Sequence, residues 1–465
     1  MTNPNHSADQ RLLDYYRMAP GSLACTATTT DRLSADTGFF QFAAEVCYGR
    51  CQSGTTPDVA KSSQFESSKG ALCDGATVQF PFSFGEVVDN LRMEHYRQSM
   101  IPQKQGFTRG QLARSLYQFI RPALPVRVRR HLQRVYLSDW KRLPFPAWPV
   151  DFTVDLLHQE FLRLLMEASG VKRVPFIWFW PKGAASCLIM THDVETSAGR
   201  DFTPLLMDLD DSYGIKASFQ VIPEKGYKIS DQYVSEIRRR GFEFNIHDLN
   251  HDGRLYREKQ EFRRRAARIN GYVRSYGARG FRAGSMDRIQ DWYDAFDFSY
   301  DMSVPNVAHL EPMRGGCCTV MPYFVGNIVE LPVTLVEDYS LFHILNDYSI
   351  DLWKQQLALI GAEHGLMSFI VHPDYVIERR ARRTYESLLD YLRQTIARES
   401  IWAALPGDVD LWWRARSQLS LATRENVWEI TGPERERAQL AYATLDGGRL
   451  IYELAEIPSR EDAIR

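Results

Sequence analysis

The strongest pattern in the chain is an apolar run that ends on two carboxylates. Residues 187–190, Cys-Leu-Ile-Met, have no polar face, which is typical of a strand buried on both sides in an α/β sheet. Asp193 and Glu195 follow it closely. In such folds the chemistry lies at the carboxyl ends of the strands, and side chains two residues apart point the same way while the chain stays extended. The pattern therefore predicts a central strand whose two acids enter one site.

Downstream of this strand, strand-like and helix-like patterns alternate. Strands are expected at 216–222, 242–246, 280–283, 298–301, 329–333 and 366–371. Helices are expected at 204–213, 231–240, 255–276, 351–364 and 378–398. This succession predicts an α/β fold with a mostly parallel sheet and covering helices, either open or closed into a barrel.

The regions that flank this alternation have other patterns. Residues 1–143 are expected to form an irregular N-terminal region of short strands, followed by helices at 85–97 and 109–120. Residues 144–182 are expected to be a proline-containing linker with a lead-in helix at 154–168. The α/β unit would occupy residues 183–420, and residues 421–465 would form a small β extension with a hairpin turn at Asp446-Gly447-Gly448.

Composition narrows the classes of protein that the chain can belong to. The 465 residues include 56 basic and 58 acidic side chains, so no overall positive field is present to attract nucleic acid. No apolar run approaches the roughly 18 residues needed to span a bilayer. The N-terminus lacks the basic and apolar regions of a signal peptide, and the seven cysteines, an odd number, indicate reduced thiols. We therefore expect a cytoplasmic protein with no nucleic-acid partner.

One segment departs from the even distribution of charge. Residues 121–142 carry seven basic side chains among Leu, Val and Tyr: Arg121, Arg127, Arg129, Arg130, Arg134, Lys141 and Arg142. The segment could lie on an anionic membrane surface or on a polyanion, which would place the protein at the periphery of the inner membrane. The alternative is a solvated basic helix that covers the neighbouring domain, as charge runs usually do.

Polar side chains gather where the predicted strands end. The predicted strand at 242–246 is followed by His247 and His251. Because these histidines are four residues apart, they would lie on one face of a helical turn, and both imidazoles could reach one cation. A carboxylate from the first strand would complete a two-histidine, one-carboxylate set with open coordination positions. His372, after the strand at 366–371, is a candidate proton donor, and Arg282 is a candidate for a bidentate pair with a carboxylate.

Taken in order, these residues resemble the motifs of the polysaccharide deacetylase family, also known as the NodB homology or carbohydrate esterase 4 family. The matching segments are 191–195 (Thr-His-Asp-Val-Glu), 247–251, 281–282, 301–303 and 371–372, within roughly residues 183–400. The resemblance implies a distorted (β/α) barrel, a divalent metal ion, usually zinc, and removal of N-acetyl groups from an amino-sugar polymer.

The resemblance also implies roles for individual residues. Asp193 would be the general base, Arg282 the residue that orients it, His372 the general acid, and Asp301 a supporting residue. His247 and His251 would be metal ligands. Val194 stands where the family usually has a second Asp, so the third ligand would be either Glu195 or Asp193. Other departures are Asp248, where Ser or Thr commonly follows the first histidine, and Ala283-Gly284 in place of a proline-containing segment near the oxyanion position.

These observations lead to one main functional hypothesis and two alternatives. The first is a metal-dependent hydrolase that removes N-acetyl groups from an amino-sugar polysaccharide or a glycan precursor, for which a groove lined with aromatic residues is expected. The second is a hydrolase of a small non-sugar amide on the same fold, which would need a lidded pocket. The third is a non-catalytic carbohydrate-binding or assembly protein of polysaccharide biosynthesis, with its metal-site residues too far apart to share one cation.

Overall fold

The computed structural model describes residues 8–74, 77–100, 126–224, 226–424 and 427–455. In chain order the strands are β1 (Thr26–Thr29), β2 (Gly38–Phe42), β3 (Glu45–Gly49), β4 (Leu72–Asp74), β5 (Thr77–Phe80), β6 (Arg173–Ile177), β7 (Ser186–Val194), β8 (Ala217–Val221), β9 (Glu243–His247), β10 (Gly280–Arg282), β11 (Tyr300–Asp301), β12 (Tyr323–Val325), β13 (Ile328–Glu330), β14 (Leu366–Ile370), β15 (Ile401–Ala404), β16 (Ser420–Arg424), β17 (Val427–Thr431), β18 (Leu440–Asp446) and β19 (Arg449–Leu454). The helices are α1 (Ala8–Tyr16), α2 (Phe84–Arg92), α3 (Arg97–Met100), α4 (Val126–Tyr136), α5 (Thr153–Ser169), α6 (Ser197–Ser212), α7 (Asp231–Arg239), α8 (Lys259–Tyr276), α9 (Asp351–Ala362), α10 (Pro373–Val376), α11 (Arg379–Arg398) and α12 (Pro406–Gln418).

The largest sheet has nine strands, and β7 pairs with three of them. The strand order is β12-β13-β11-β10-β9-β8-β7-β14, and β15 also pairs with β7. Every pair is parallel except β12 with β13. All nine residues of β7 are buried, which includes the apolar run 187–190 that was predicted to be a strand buried on both sides. One side of β7 pairs with β14, and the other side pairs with β15 along its first half and with β8 along its second half.

The two ends of this sheet meet through the segment that follows β13. Leu335 N donates to Ser368 O (3.3 Å), and the Thr334 hydroxyl bridges β14 by accepting from Ser368 N (2.9 Å) and donating to Leu366 O (2.7 Å). The sheet therefore curls into a barrel whose closure is made partly by a side chain. The predicted distorted (β/α) barrel is confirmed.

Two helices begin at residues other than those expected. The helix expected from residue 204 begins at Ser197, because the Thr196 hydroxyl caps it by accepting from Gly199 N (3.2 Å), and Pro204 lies within it. The helix expected from residue 255 begins at Lys259, so the apolar residues just before it pack from a loop instead of a helix face. The helix expected at 109–120 lies outside the described residues.

The flanking regions pack on the barrel. β6, within the segment expected to be a linker and lead-in, pairs antiparallel with β18, which pairs with β19 in the C-terminal extension. The N-terminal region shares a hydrophobic core with α5, where Phe161 stacks on Phe80 and Phe84 at ring-centroid distances of 4.2 and 4.3 Å. No helix in the described part of the chain has the length and apolar character needed to cross a membrane.

A buried ion pair joins the N-terminal region to the barrel. Arg288 donates two hydrogen bonds to Glu94, at 2.6 and 2.5 Å, and neither side chain is more than 2% exposed. Glu94 also accepts from Gly316 N at 2.6 Å. Removing one partner of such a pair leaves an uncompensated charge in the interior.

We expect Arg288→Met to lower the free energy of unfolding by about 3–5 kcal/mol, because Glu94 would stay buried without its cation. Urea unfolding followed by fluorescence would measure the loss. The matched control is Arg264→Met, since the Arg264 side chain is 64% exposed and pairs only at the surface of α8. The control should unfold near the wild-type midpoint, and equal midpoints for all three proteins would contradict the prediction.

Candidate functional site

Three side chains that can ligate a metal converge at the carboxyl ends of the strands. Glu195 follows β7, His247 ends β9, and His251 lies in the loop after it. Their ligand atoms all lie within 4.8 Å of one another. Glu195 Oε1 is 2.8 Å from His251 Nε2 and 3.7 Å from His247 Nε2. Zinc binds such atoms at about 2.0–2.2 Å, so the cluster is close to the span of one coordination sphere.

The backbone sets the protonation of His247. Its Nδ1 lies 3.0 Å from Arg282 O, a carbonyl that can only accept, so Nδ1 carries the proton in the neutral ring. Nε2 then carries the lone pair. This atom is buried and has no hydrogen-bond partner within the described residues. A buried imidazole nitrogen in this state, fixed by a carbonyl on the other side of the ring, is the arrangement found in metal-ligating histidines.

The prediction of a helical turn between the two histidines is wrong. After His247 the chain turns through left-handed backbone at Asp248 (φ 53°) and His251 (φ 55°), and no helix forms there. The rings nevertheless approach to 5.0 Å between centroids. Gly284 makes room for this turn, because a Cβ there would lie 2.6 Å from Asp248 Oδ2 and 2.9 Å from His251 Cδ2. Close packing against this loop thus explains why residue 284 is a glycine.

Asp193 is fixed by Arg282, although not by the bidentate pair expected. Arg282 Nη1 donates to Asp193 Oδ1 and to Thr191 Oγ1, each at 2.8 Å, while its Nε donates to Met302 O at 2.9 Å. The guanidinium is shared among three acceptors, so only one bond reaches the carboxylate. Asp193 Oδ2 faces the metal cluster, 3.9 Å from His247 Nε2.

Both acids of the first motif are ionised in this setting. Burial raises the pKa of Asp193, but the guanidinium of Arg282, together with the neighbouring imidazoles of His247 and His372, outweighs it and holds that pKa below its ordinary value. Burial also raises the pKa of Glu195, and His251, His247 and His372 together bring it well below the usual range. Glu195 lies in the metal cluster, whereas Asp193 stands beside it.

His372 is held by Asp338, a residue that the sequence motifs did not single out. Asp338 Oδ1 lies 2.6 Å from His372 Nδ1, and Asp338 Oδ2 accepts from His372 N at 2.7 Å. Burial lowers the pKa of His372, but Asp338, Glu195 and Asp193 raise it well above its ordinary value. Its Nε2 lies 3.8 Å from Glu195 Oε1.

A signal for Asp338 was present in the sequence. The apolar segment 331–336 ends on Glu337 and Asp338, as the first strand ends on Asp193 and Glu195. The predicted strand at 329–333 stopped short of this segment, so the acids that follow it were missed.

Asp301 lies below the cluster. It is fully buried and accepts from Tyr293 Oη and Ser303 Oγ at 2.7 Å each. The same Ser303 hydroxyl accepts from Ala283 N at 2.8 Å. It thus braces the loop after β10 and contacts none of the ligand atoms. The other residues predicted for the site are brought together: Asp193, Glu195, His247, His251, Arg282 and His372.

Two tyrosines line the approach to His372. The Tyr375 ring lies 4.8 Å from the His372 ring and 5.7 Å from the Tyr339 ring. Asp374, next to Tyr375, accepts from Glu195 N (3.3 Å) and from the Thr196 hydroxyl, which ties the loop after β14 to the loop after β7. The acid and the metal cluster are therefore held by loops that contact one another.

Comparison with known proteins finds no matching family model and no matching curated protein. Solved structures that resemble the chain include a protein from Mycobacterium smegmatis named as a polysaccharide deacetylase, with 19% identity, a TM-score of 0.42, and coverage of 54% of this chain and 98% of that one. Puue allantoinase shows 13% identity and a TM-score of 0.41, over 51% of this chain and 92% of its own. A family 4 acetyl xylan esterase from Clostridium thermocellum, solved with a cobalt ion, shows 14% identity and a TM-score of 0.31, over 49% of this chain and 91% of its own.

The cluster geometry makes a prediction about metal content. Protein dialysed against zinc should retain about one ion per chain, and the double variant His247→Ala with His251→Ala should retain almost none, because two of three protein ligands are lost. Inductively coupled plasma mass spectrometry would measure this. The matched control is His131→Ala, on an exposed position of α4, which should keep the wild-type content. Equal metal content in the double variant and the wild type would contradict the assignment.

Proposed function

We propose that the protein is a metal-dependent hydrolase that removes N-acetyl groups from an amino-sugar polysaccharide or a glycan precursor. The observation that carries the proposal is the convergence of three potential metal ligands with a second carboxylate and an imidazole that is itself held by a carboxylate. Hydrolysis of an amide needs a base for the attacking water and an acid for the leaving nitrogen. Asp193 and His372 are candidates for these roles, because Asp193 Oδ2 lies 3.9 Å from His247 Nε2 and His372 Nε2 lies 3.8 Å from Glu195 Oε1.

Glu195, His247 and His251 would hold the metal ion, and we propose zinc because it takes imidazole nitrogen and carboxylate oxygen at these distances. When bound, a zinc ion supplies Lewis acidity that polarises a carbonyl group and acidifies water. Three protein ligands leave room for substrate, which is the usual difference between a catalytic and a structural zinc site. Glu195 is the preferred third ligand, because it lies closer to both histidines than Asp193 does.

Asp193 would act as the general base. Arg282 occupies Oδ1, so Oδ2 is left to face the cluster and accept a proton from the attacking water. Its lowered pKa keeps it ionised and ready to accept at neutral pH.

His372 would act as the general acid. Asp338 occupies Nδ1, which directs the Nε2 proton toward the cluster. An amide nitrogen leaves readily only when it is protonated, and the raised pKa of His372 keeps that proton available. This preference for a nitrogen leaving group supports an amide over an ester as the substrate.

Two features bear on the competing hypotheses. Tyr339 and Tyr375 offer aromatic faces next to His372, which supports a sugar substrate. Asp193, His247 and His372 are each at most 5% exposed, and this enclosure favours the small non-sugar amide as a second candidate. The non-catalytic hypothesis expected ligands too far apart for one cation, whereas the ligand atoms lie within 4.8 Å of one another.

Acetate release tests the proposal directly. Wild-type protein with zinc should release acetate from N-acetylated oligosaccharides, and Asp193→Asn should lower kcat by about 10²–10⁴-fold, because the amide side chain cannot take up the proton. Metal content should be unchanged in this variant. The control is Asp201→Asn, since the Asp201 side chain is 68% exposed. No acetate from any sugar, together with turnover of small amides, would replace the first candidate by the second.

Asp338 can be tested as a positioning residue. We expect Asp338→Asn to lower kcat with little change in metal content, and to move the alkaline limb of the kcat–pH profile to lower pH. The sign follows from charge: removing the carboxylate lowers the pKa of His372, so the proton needed by the leaving group is lost at a lower pH. A variant with reduced kcat but an unshifted profile would show that Asp338 acts only in folding.

A further inference from the structure

The polar side of α4 faces the barrel. Tyr339 Oη donates to Gln133 Oε1, and Arg134 Nε donates to His343 O at 2.7 Å. Both residues that α4 contacts, Tyr339 and His343, lie on the segment that follows the barrel closure, near the approach to the candidate site. A helix on the surface of a globular protein ordinarily turns its apolar face to the core, so this helix is reversed.

The opposite side of α4 is apolar and exposed. It is formed by residues at positions i, i+4, i+7 and i+8, which share one face of a helix. This apolar face consists of Val128 (42% exposed), Leu132 (40%), Val135 (59%) and Tyr136 (59%). The Arg314 guanidinium lies 5.7 Å from the Tyr136 ring, and none of the four residues belongs to a hydrophobic cluster among the described residues.

The segment that contains α4 is rich in basic residues. Within residues 126–142 there are six basic side chains and a single acidic one, although the whole chain has a formal charge of −2. The acidic residue, Asp139, is already paired with Arg314 at 2.5 Å. Lys141 and Arg142 are exposed, and Trp140 and Tyr136 add the aromatic side chains that favour a membrane–water interface. An exposed apolar helix face within a basic segment is typical of a helix that lies in the headgroup layer of an anionic bilayer.

The helix is linked to the candidate site through two tyrosines. Tyr339, which bonds to Gln133, has its ring 5.7 Å from the Tyr375 ring, and the Tyr375 ring is 4.8 Å from the ring of His372. One helix and two tyrosine side chains would therefore separate a surface bound through α4 from His372.

We propose that the apolar face of α4 binds an anionic membrane surface and that the site acts on a glycan carried by a membrane lipid. The choice of substrate rests on the proposed function, whereas membrane binding does not. A second copy of the chain is a poorer occupant for two reasons. Four side chains fall well short of the roughly 1,200 Å² that a stable dimer buries, and a twofold interface would bring the two sets of arginines together.

Sedimentation with vesicles tests the membrane contact. The full-length protein should sediment with vesicles of phosphatidylcholine and phosphatidylglycerol, and much less with phosphatidylcholine alone or at high salt. Leu132→Glu and Val135→Glu should each weaken binding by about tenfold or more, because a carboxylate would have to enter the headgroup layer. The matched control is Val427→Glu on β17, where the valine is 67% exposed, and this variant should bind as the wild type does. Absence of binding by the wild type, or equal binding by all four proteins, would overturn the proposal.

Two further measurements separate the possible failures. Acetate release from a soluble N-acetylated oligosaccharide should be the same for the wild type and Val135→Glu, since Val135 is remote from the reacting groups. If the wild type releases no acetate but binds vesicles, the proposed function fails and the membrane contact stands. If light scattering shows a wild-type dimer that Val135→Glu converts to a monomer, the apolar face binds a second copy and the membrane proposal is wrong.

Discussion

The candidate site depends on the placement of Arg282 at the end of β10. Its guanidinium is fully buried and holds Asp193, while its carbonyl accepts from Asp248 N (2.7 Å) and faces His247 Nδ1 (3.0 Å). One residue thus orients the candidate base through its side chain and a candidate ligand through its backbone. A buried guanidinium is stable only with acceptors and a counter-charge, and Asp193 supplies that charge. The two functions are coupled, so a change at residue 282 would disturb base and ligand together.

The sequence predicted most of this arrangement because β7 and β9 are buried, and the candidate base and ligands come at or just after their carboxyl ends. The parts that it missed depend on contacts between distant segments or on backbone conformations without a sequence signature. Asp248 and His251 adopt left-handed backbone, which favours glycine, so nothing in their identity indicated a tight turn. Asp338 is a different case, because the strand predicted at 329–333 stopped short of the segment 331–336 that ends on this residue. The pairing of β6 with β18 likewise joins residues far apart in the chain, which no local pattern reveals.

The flanking regions supply parts of the barrel wall through buried polar contacts. Asp155 on α5 accepts from Thr319 Oγ1 (2.6 Å) and Val320 N (2.9 Å), and burial raises the pKa of this carboxyl to about 6. Asn306 accepts from Asp151 N (2.8 Å) and donates to Asp151 O (2.7 Å). These bonds satisfy backbone groups of irregular segments between β11 and β12, which have few partners of their own. The barrel is therefore completed by residues that precede it in sequence.

The position of β15 has a consequence for the order in which the chain can assemble. It covers the first half of β7, the strand that leads to Asp193 and Glu195, yet it is made more than 200 residues later. During synthesis, and in any chain cut short before residue 401, that edge of β7 would present unpaired amide and carbonyl groups beside the apolar run 187–190. Such an edge invites pairing with other chains. The strand that leads to the candidate site is thus open to aggregation until β15 has been made.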